Sequence, residues 1–505
     1  MWDRLRSLPV LLLLMGVAAL AMLVPAAHAL TLQDHAIARS FFYAALLLFF
    51  VTALIAVALR PRRGGMSPRE QLLTIFATFT LLPVFLAVPF HHAVGNTSFL
   101  NAWFEMVSSL TTTGATLFDT PGRLPTTLHL WRGLVGWLGG FFIWVAAIAL
   151  LAPMNLGGFE VTNAADPGAG MSGLKRQRGV LDAFGRLSRA TRGFAPIYAV
   201  LTLALWVLLL ISGEPSLPAL VDAMSTLATS GISMGDKTPG PDGLGGEAVV
   251  FFFMFFGVTR LVHGAETSGS LPYRVAIDPE FRLAIALLIL IPSLLFLRHW
   301  VGAYEVEEYQ DASAGLRALW GGLFTTLSFL TTTGFVSAEW DTASNWSGLP
   351  ASGVLLSGLC LIGGGVATTA GGVKLLRVYA LFRHGQRELE RLVHPSSVAG
   401  TTGTSNFLRR HGAYAAWIAF MLIALSICVI VLGLSIMGVP LDSAMMLAIS
   451  ALSNTGPLAP VATNETLTYA ALGPGAKLLL AAGMVFGRLE ALAIVALFNP
   501  DFWRR

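Results

Sequence analysis

Charge is scarce in this sequence. Of its 505 residues only 12% are Asp, Glu, Lys or Arg, against about 25% in soluble domains. Cysteine is scarcer still: Cys360 and Cys428 are the two, both in apolar runs and with no CxxC or Cys/His pattern around them. That excludes a disulfide framework and a zinc site and leaves both thiols as packing residues. Catalytic signatures are missing too. There is no HExxH and no pair of aspartates in an apolar segment, so a membrane-embedded enzyme is disfavoured. "GLGGE" at 243–247 and "GPGAK" at 473–477 lack the full spacing of a phosphate-binding loop. The net charge of +4 is small and dispersed, which argues against a nucleic-acid partner.

What the chain has instead is apolar length. Hydrophobic residues make up 55% and the mean hydropathy is +0.70, the profile of a polytopic, all-α membrane protein whose partner is membrane lipid. Segments near the ~20 residues needed to span a bilayer fall at 8–30, 38–59, 71–94, 127–154, 193–213, 246–268, 280–300, 350–382, 411–437 and 468–498. The 350–382 segment is too long for one straight helix and carries two glycine clusters, so a break is expected in its middle. The first segment follows Arg4 and Arg6 and ends near "AHA" at 27–29, as a secretory signal would. Its apolar part, Leu8 to Ala27, exceeds the ~7–15 residues of a signal core, so a retained helix is preferred to cleavage.

Basic residues sort to one side of these segments. Twenty-three of the 32 Lys and Arg fall within 4–6, 60–69, 175–192, 274–282, 374–410 and 504–505, whereas loops on the other side are neutral or acidic, as in "YEVEEYQD" at 304–311. Positive charge stays inside, so both termini are expected in the cytoplasm, in keeping with ten spans. The longest cytoplasmic connections, 155–192 and 383–410, each have under 40 residues, too few for a soluble catalytic domain.

A repeat runs through the outer-side connections. "SSLTTTG" begins at Ser108, "STLATSG" at Ser225, "SFLTTTG" at Ser328 and "SALSNTG" at Ser450, at intervals of 117, 103 and 122 residues. The shared form is Ser-x-Leu-x-x-Thr/Ser-Gly. Each copy follows a segment too short to cross, near 100–110, 217–227, 317–330 and 440–452, and precedes another span. The predicted architecture is therefore four pseudo-repeats of span, re-entrant pore helix, loop and span around one pore, preceded by two extra spans. It divides the chain into a two-span segment over 1–63 and pore repeats over 64–190, 191–275, 276–405 and 406–505. A packing motif of small residues would not need to recur in phase.

Non-helical backbone at membrane depth is tolerated where protein buries it or it lines a watery cavity. A ring of backbone carbonyls replaces the water around a bare cation, and losing that water uncompensated costs on the order of tens of kcal/mol. Gly114, Gly231, Gly334 and Gly456 permit positive φ, while Thr113, Ser230, Thr333 and Thr455 add small hydroxyls. Each short helix also ends at its loop, where the negative end of the helix dipole favours a cation. No fixed charge occurs in the four motif cores. That points to a weakly hydrated monovalent cation, potassium first and sodium as the alternative.

These loops, the ten-span plan and two further stretches resemble the TrkH/TrkG/KtrB family of potassium-uptake subunits, its TrkH members in particular. The resemblance covers nearly the whole chain and rests most on "TTTGAT" at 111–116, "TTTGF" at 331–335, "GGGVATTAGGVK" at 363–374 and "GRLEALAIVALFNPDFW" at 487–503. It implies a filter made of Thr112, Thr113 and Gly114; Thr229, Ser230 and Gly231; Thr332, Thr333 and Gly334; and Asn454, Thr455 and Gly456. The second loop, "ATSGIS", and the fourth, "SNTGPL", depart from the TTTG pattern. The resemblance further implies K+ as the transported ion with no organic cofactor, the bacterial cytoplasmic (inner) membrane, and a homodimer with one pore per subunit. A separate cytosolic nucleotide-binding ring of the TrkA or KtrA kind would dock on the basic loops.

Two stretches have readings of their own. In "GGGVATTAGGVK", Gly363, Gly364, Gly365, Gly371 and Gly372 make a continuous helix improbable, and Thr368 and Thr369 can satisfy freed backbone groups. It is either a kink packed against neighbours or a movable loop that obstructs the pore; the resemblance implies an intramembrane gate. Lys374, closing that loop, is expected at the cytoplasmic mouth. Arg488 lies about ten residues, ~15 Å, before the end of the last span, where a cation faces protein or water. It either snorkels or pairs with Glu490, two residues away and poorly placed to meet it, or forms an electrostatic barrier, as the resemblance implies. Arg260, His263 and Glu266 form a polar cluster read as packing in preference to a proton relay, so coupling to protons or sodium stays open. A sodium-coupled or weakly selective K/Na transporter is the main rival.

Overall fold

The computed structural model describes residues 9–59, 66–162, 183–235, 244–258, 278–302, 312–349, 352–394, 412–463 and 467–498. Among them the chain is helical, without a strand. In order, the first two spans are α1 (Val10–Thr31) and α2 (His35–Ala58). Then come α3 (Pro68–Val94), the short α4 (Phe99–Leu110) and α5 (Thr126–Ala146). A second set follows: α6 (Ala183–Ile211), the short α7 (Ser216–Ala228) and α8 (Leu244–Met254). The third comprises α9 (Pro279–Gly302), α10 (Ala312–Leu330), α11 (Trp340–Ser347), α12 (Ser352–Ile362) and α13 (Leu375–Val393). The last has α14 (Ala413–Ile436), the short α15 (Leu441–Ser453), α16 (Pro474–Leu489) and α17 (Ala491–Phe498).

Local chemistry starts these helices where they start. Ser67 and Glu70 form a reciprocal capping box ahead of Pro68, the first residue of α3. Pro125, Pro215 and Pro440 stand immediately before α5, α7 and α15 with φ of −55°, −59° and −56°. Their rings fix an extended entry and bring no N–H that lacks a partner. Length then decides which helices cross. With 12, 13 and 13 residues, α4, α7 and α15 reach only ~18–20 Å, short of the ~30 Å hydrocarbon layer. α10 has 19 residues and begins five residues before the sequence reading of 317–330 placed it.

Among the described residues, seven helices are long and apolar enough to cross a membrane, or eight if α11 and α12, bent by 116°, count as one. The seven coincide with predicted spans. The other three of the ten predicted segments are interrupted. Segment 246–268 leaves α geometry at Phe255–Gly257, and residues 259–268 lie outside the described residues, as do Arg260, His263 and Glu266. Segment 350–382 breaks, as read, between α12 and α13. Segment 468–498, read as continuous, is divided at Glu490, whose φ is +62°.

Two apolar clusters form the interior. One joins the first two spans to the α3–α5 and α14–α17 groups around Phe79, Phe90, Phe104 and Trp131, with Phe41 set edge-on to Trp131 at 5.4 Å. The other joins the two middle groups around Leu205, Phe324, Phe329 and Phe335. The outer helices face away from both: only 17% of the apolar window of α14 is buried, against 72% for Thr126–Met154. Trp417, Leu425 and Ile436 on α14 are exposed, an apolar surface far beyond what a water-soluble monomer carries and suited to lipid.

Glycine sets the closest helix contacts. A Cβ at Gly139 of α5 would lie 2.0 Å from the Leu110 carbonyl oxygen of α4, and one at Gly487 of α16 would lie 2.1 Å from that of Leu452 in α15. Gly139→Val is therefore expected to destabilise by at least ~1–3 kcal/mol through overpacking. Thermal unfolding in detergent checks this, with Gly16→Ala, where nothing lies within 4 Å, as the tolerated control.

Candidate functional site

The four motif copies end their helices alike. In each, the N–H of the Thr/Ser before the glycine donates to the carbonyl of the motif's first Ser: Thr113 to Ser108 at 2.8 Å, Ser230 to Ser225 at 3.0 Å, Thr333 to Ser328 at 2.9 Å, Thr455 to Ser450 at 2.9 Å. The residue before it bonds one turn back, Thr112 to Ser109, Thr229 to Thr226, Thr332 to Phe329 and Asn454 to Ala451. This is the Schellman closure of a helix, which places one residue in the left-handed region. Glycine is usual there, yet this chain has Thr112, Thr229, Thr332 and Asn454, with φ of 54°, 50°, 57° and 55°. A β-branched residue with positive φ is strained, and here it recurs at one position of three copies.

The four loops touch in a closed cycle. A Cβ on Gly114 would lie 1.9 Å from the Ser230 oxygen, one on Gly231 2.3 Å from the Thr333 oxygen, and one on Gly334 2.9 Å from Pro457. A Cβ on Gly456 would lie 2.1 Å from the Ala115 nitrogen, closing fourth copy on first. Asn454 Nδ2 also donates to Thr113 Oγ1 at 3.0 Å. Gly114, Gly231 and Gly334 have positive φ, but Gly456 is not among the positive-φ residues. The positive φ that all four glycines permit is thus adopted at three; at the fourth, close approach requires the glycine and its N–H donates to the Thr113 carbonyl. The twelve residues expected in the filter occupy these four helix ends, and all are buried except Gly231, which is half-buried. Among the described residues no group of three His, Cys, Asp or Glu is arranged to hold a metal ion; the oxygens gathered at the junction are carbonyls and hydroxyls.

Side chains clamp the strands that leave the loops. Buried Glu105 of α4 pairs with Arg132 of α5 at 2.6 Å and accepts from the Leu117 N–H. Glu247 of α8 accepts from the Ala338 N–H at 2.7 Å, the Ser337 hydroxyl at 2.8 Å and Trp320 Nε1 at 2.8 Å. A cavity of 720 Å³ opens beyond the junction, with Gly114, Gly231 and Gly456 in its wall.

Behind the junction sits the loop between α12 and α13. Its neck is tied by the Val373 N–H to Leu361 at 2.8 Å and the Lys374 N–H to Ile362 at 2.9 Å. The Gly371 N–H donates to Thr332 Oγ1 at 2.7 Å, the Thr369 hydroxyl donates to Leu227 at 3.1 Å, and a Cβ on Gly371 would lie 2.0 Å from the Ser453 oxygen. Three motif copies therefore touch it. The interrupted helices hold its far side: the Gly257 carbonyl, freed from its helix, accepts from the Gly365 N–H and the Thr368 hydroxyl. Arg488 Nη1 donates to the Thr369 carbonyl at 2.7 Å. Gly363, Gly364 and Gly372 pack at the neck itself.

One open alternative is decided and one expected placement changes. Glu490 meets Arg377 at 2.6 Å and not Arg488, because the turn at Glu490 carries its carboxylate to α13. Lys374 is buried, 6% exposed, with φ +87°, and its Nζ donates to the Ala370 carbonyl within its own loop; it does not sit at an open mouth. Sequence reasoning passed over Glu105, Arg132, Glu247 and Tyr469. Arg132 was the available signal, since a cation inside "LHLWRGLVGW" requires a buried partner.

Comparison with known proteins follows the same lines. The family model described as "TrkH: Cation transport protein" matches residues 281–505. The Trk system potassium uptake protein TrkH of Salmonella typhimurium is 32% identical over 465 residues, covering 90% of this chain and 91% of its own. That of Escherichia coli K12 is 31% identical over 492 residues, covering 96% of each. The crystal structure of the potassium transporter TrkH from Vibrio parahaemolyticus superposes with a TM-score of 0.80 at 28% identity over 100% of both chains. An all-helical chain with multiple membrane-crossing helices and relatives of this kind is a membrane transport protein and not an enzyme. It belongs to the TrkH family of cation transport proteins.

Removing one partner of the Glu105–Arg132 pair leaves a buried charge alone. Glu105→Gln and Arg132→Met are each expected to cost ~3–5 kcal/mol, with the double variant recovering much of the loss. A double-variant cycle by thermal unfolding in detergent measures the coupling.

Proposed function

We propose that the chain is the ion-translocating subunit of a potassium-uptake system, with pore repeats over 64–190, 191–275, 276–405 and 406–505. K+ passes through the centre of the four loops. The backbone and hydroxyl oxygens of Thr112, Thr113 and Gly114; Thr229, Ser230 and Gly231; Thr332, Thr333 and Gly334; and Asn454, Thr455 and Gly456 replace its water. What carries this reading is the closed cycle of contacts among four helix ends of one conformation. Potassium is named from the relatives, which are potassium uptake proteins, and from the lack of fixed charge in the motif cores. The departures at Ser230 and Asn454 favour, as second reading, a pore that discriminates weakly between K+ and Na+.

The loop from Gly363 to Lys374 serves as the gate, since it lies against three of the four copies. Arg488 adds a positive charge beneath the filter and ties that gate through Thr369. The protein works in the bacterial cytoplasmic membrane with both termini inside, as a homodimer, and takes its regulation from a separate cytosolic nucleotide-binding ring of the TrkA or KtrA kind. The Arg377–Glu490 pair links α13, which runs from the gate and carries the basic residues Arg383, Arg387 and Arg391, to the break within the last span.

Radiolabelled rubidium uptake into proteoliposomes, with sodium as competitor, tests ion and activity together. Saturable uptake that excess sodium leaves largely intact is expected; equal competition by sodium selects the second reading, and no uptake rejects both. Arg488→Ala is expected to raise basal cation flux on the order of tenfold, the effect of ~1.4 kcal/mol on a barrier. Unchanged or lower flux in well-folded protein removes Arg488 from the barrier.

A further inference from the structure

The fourth copy is held differently from the others. The Tyr469 hydroxyl donates to the Gly456 carbonyl at 2.9 Å and lies 2.7 Å from Ser450 Oγ. That serine hydroxyl is in turn 2.8 Å from the Thr455 carbonyl and 3.3 Å from the Gly456 carbonyl. The last two carbonyls of the fourth loop are therefore bonded to side chains. Among the described residues, no hydrogen bond reaches the carbonyls of Gly114, Gly231 or Gly334. The backbone agrees, because those three glycines have φ of 72°, 62° and 83° and Gly456 lies outside the positive-φ set.

Tyr469 is not a loose surface phenol. It is 4% exposed, sits in the turn Tyr469–Ala471, and packs against Phe104 of α4 with ring centroids 6.1 Å apart. The ring is wedged between first and fourth copies, so its hydroxyl has a fixed address. We propose that Tyr469 is a selectivity-setting positioning residue: its hydroxyl competes with the ion for the Gly456 carbonyl, so that three of the four glycine carbonyls stand unbonded at the outermost level of the filter and the fourth is a weakened ligand. The proposal rests on the pore reading above. A larger, weakly hydrated ion gains from each added carbonyl, and preference for K+ over Na+ depends on their number and field. Weakening one lowers that preference.

Tyr469→Phe keeps the ring and removes the hydroxyl. In proteoliposomes of the full chain, the sodium concentration that halves rubidium uptake is expected to rise about threefold, within what one hydrogen bond's free energy can shift. Rubidium uptake itself persists. A structural role alone would change the amount of active protein and leave that ratio where it was. Where Tyr469→Phe yields no folded protein, Ser450→Ala, which removes the other donor to the same carbonyls, is read by the same ratio. A ratio unchanged or lowered in the folded variant overturns the proposal and leaves potassium uptake standing. Absence of rubidium uptake by the unaltered protein instead overturns the pore reading.

Discussion

Four helix ends meet backbone to backbone, and the rest of the molecule is arranged to make that possible. The approach is so close that a single added carbon at Gly114 or Gly456 would sit inside a neighbour's atoms. Such contact demands that each end be closed internally before it arrives. The Schellman bonds do this, returning the Thr/Ser amide to the first Ser of each motif, at the cost of a left-handed Thr or Asn in every copy. Strain of that kind persists only where surrounding structure fixes it. The carboxylate clamps from Glu105 and Glu247 and the hydroxyl clamp from Tyr469 supply the fixing.

The same constraint organises the opposite face of the junction. A glycine-rich loop lies directly against three copies, and it is fastened by atoms that ordinary helices would keep for themselves. Gly257 lends its carbonyl because its helix tightens there. Arg488 spends a hydrogen bond on Thr369, and the turn at Glu490 sends its carboxylate to Arg377. Arg377 and Glu490 neutralise each other as a low-dielectric interior requires, whereas Arg488, among the described residues, is bonded through Nη1 alone and keeps Nε and Nη2 unpaired.

Much of this was legible in the residues. The recurrence of Ser-x-Leu-x-x-Thr/Ser-Gly after segments too short to cross located the junction, since helix length and glycine chemistry are local properties. Seven spans and the break within 350–382 were readable for the same reason. The turn at Glu490 was not, because apart from Gly487 nothing in "GRLEAL" disfavours a helix, and the Arg377 that its carboxylate meets lies more than one hundred positions earlier in the chain. Lys374 was misplaced by a similar argument: position after a loop indicated an open mouth, while the fold turned the side chain inward. The hydrogen bond from Tyr469 to the Gly456 carbonyl was not legible either, because thirteen residues separate the two and the contact exists only in three dimensions.

That single tyrosine illustrates an advantage of building a quasi-fourfold assembly from one polypeptide. In a tetramer of identical chains any substitution is multiplied by four, and a tether on one quarter is impossible without tethering all. Here each quadrant is separately encoded, so one can be altered while the other three keep their form. Selection can then adjust the symmetric centre in steps of one quarter.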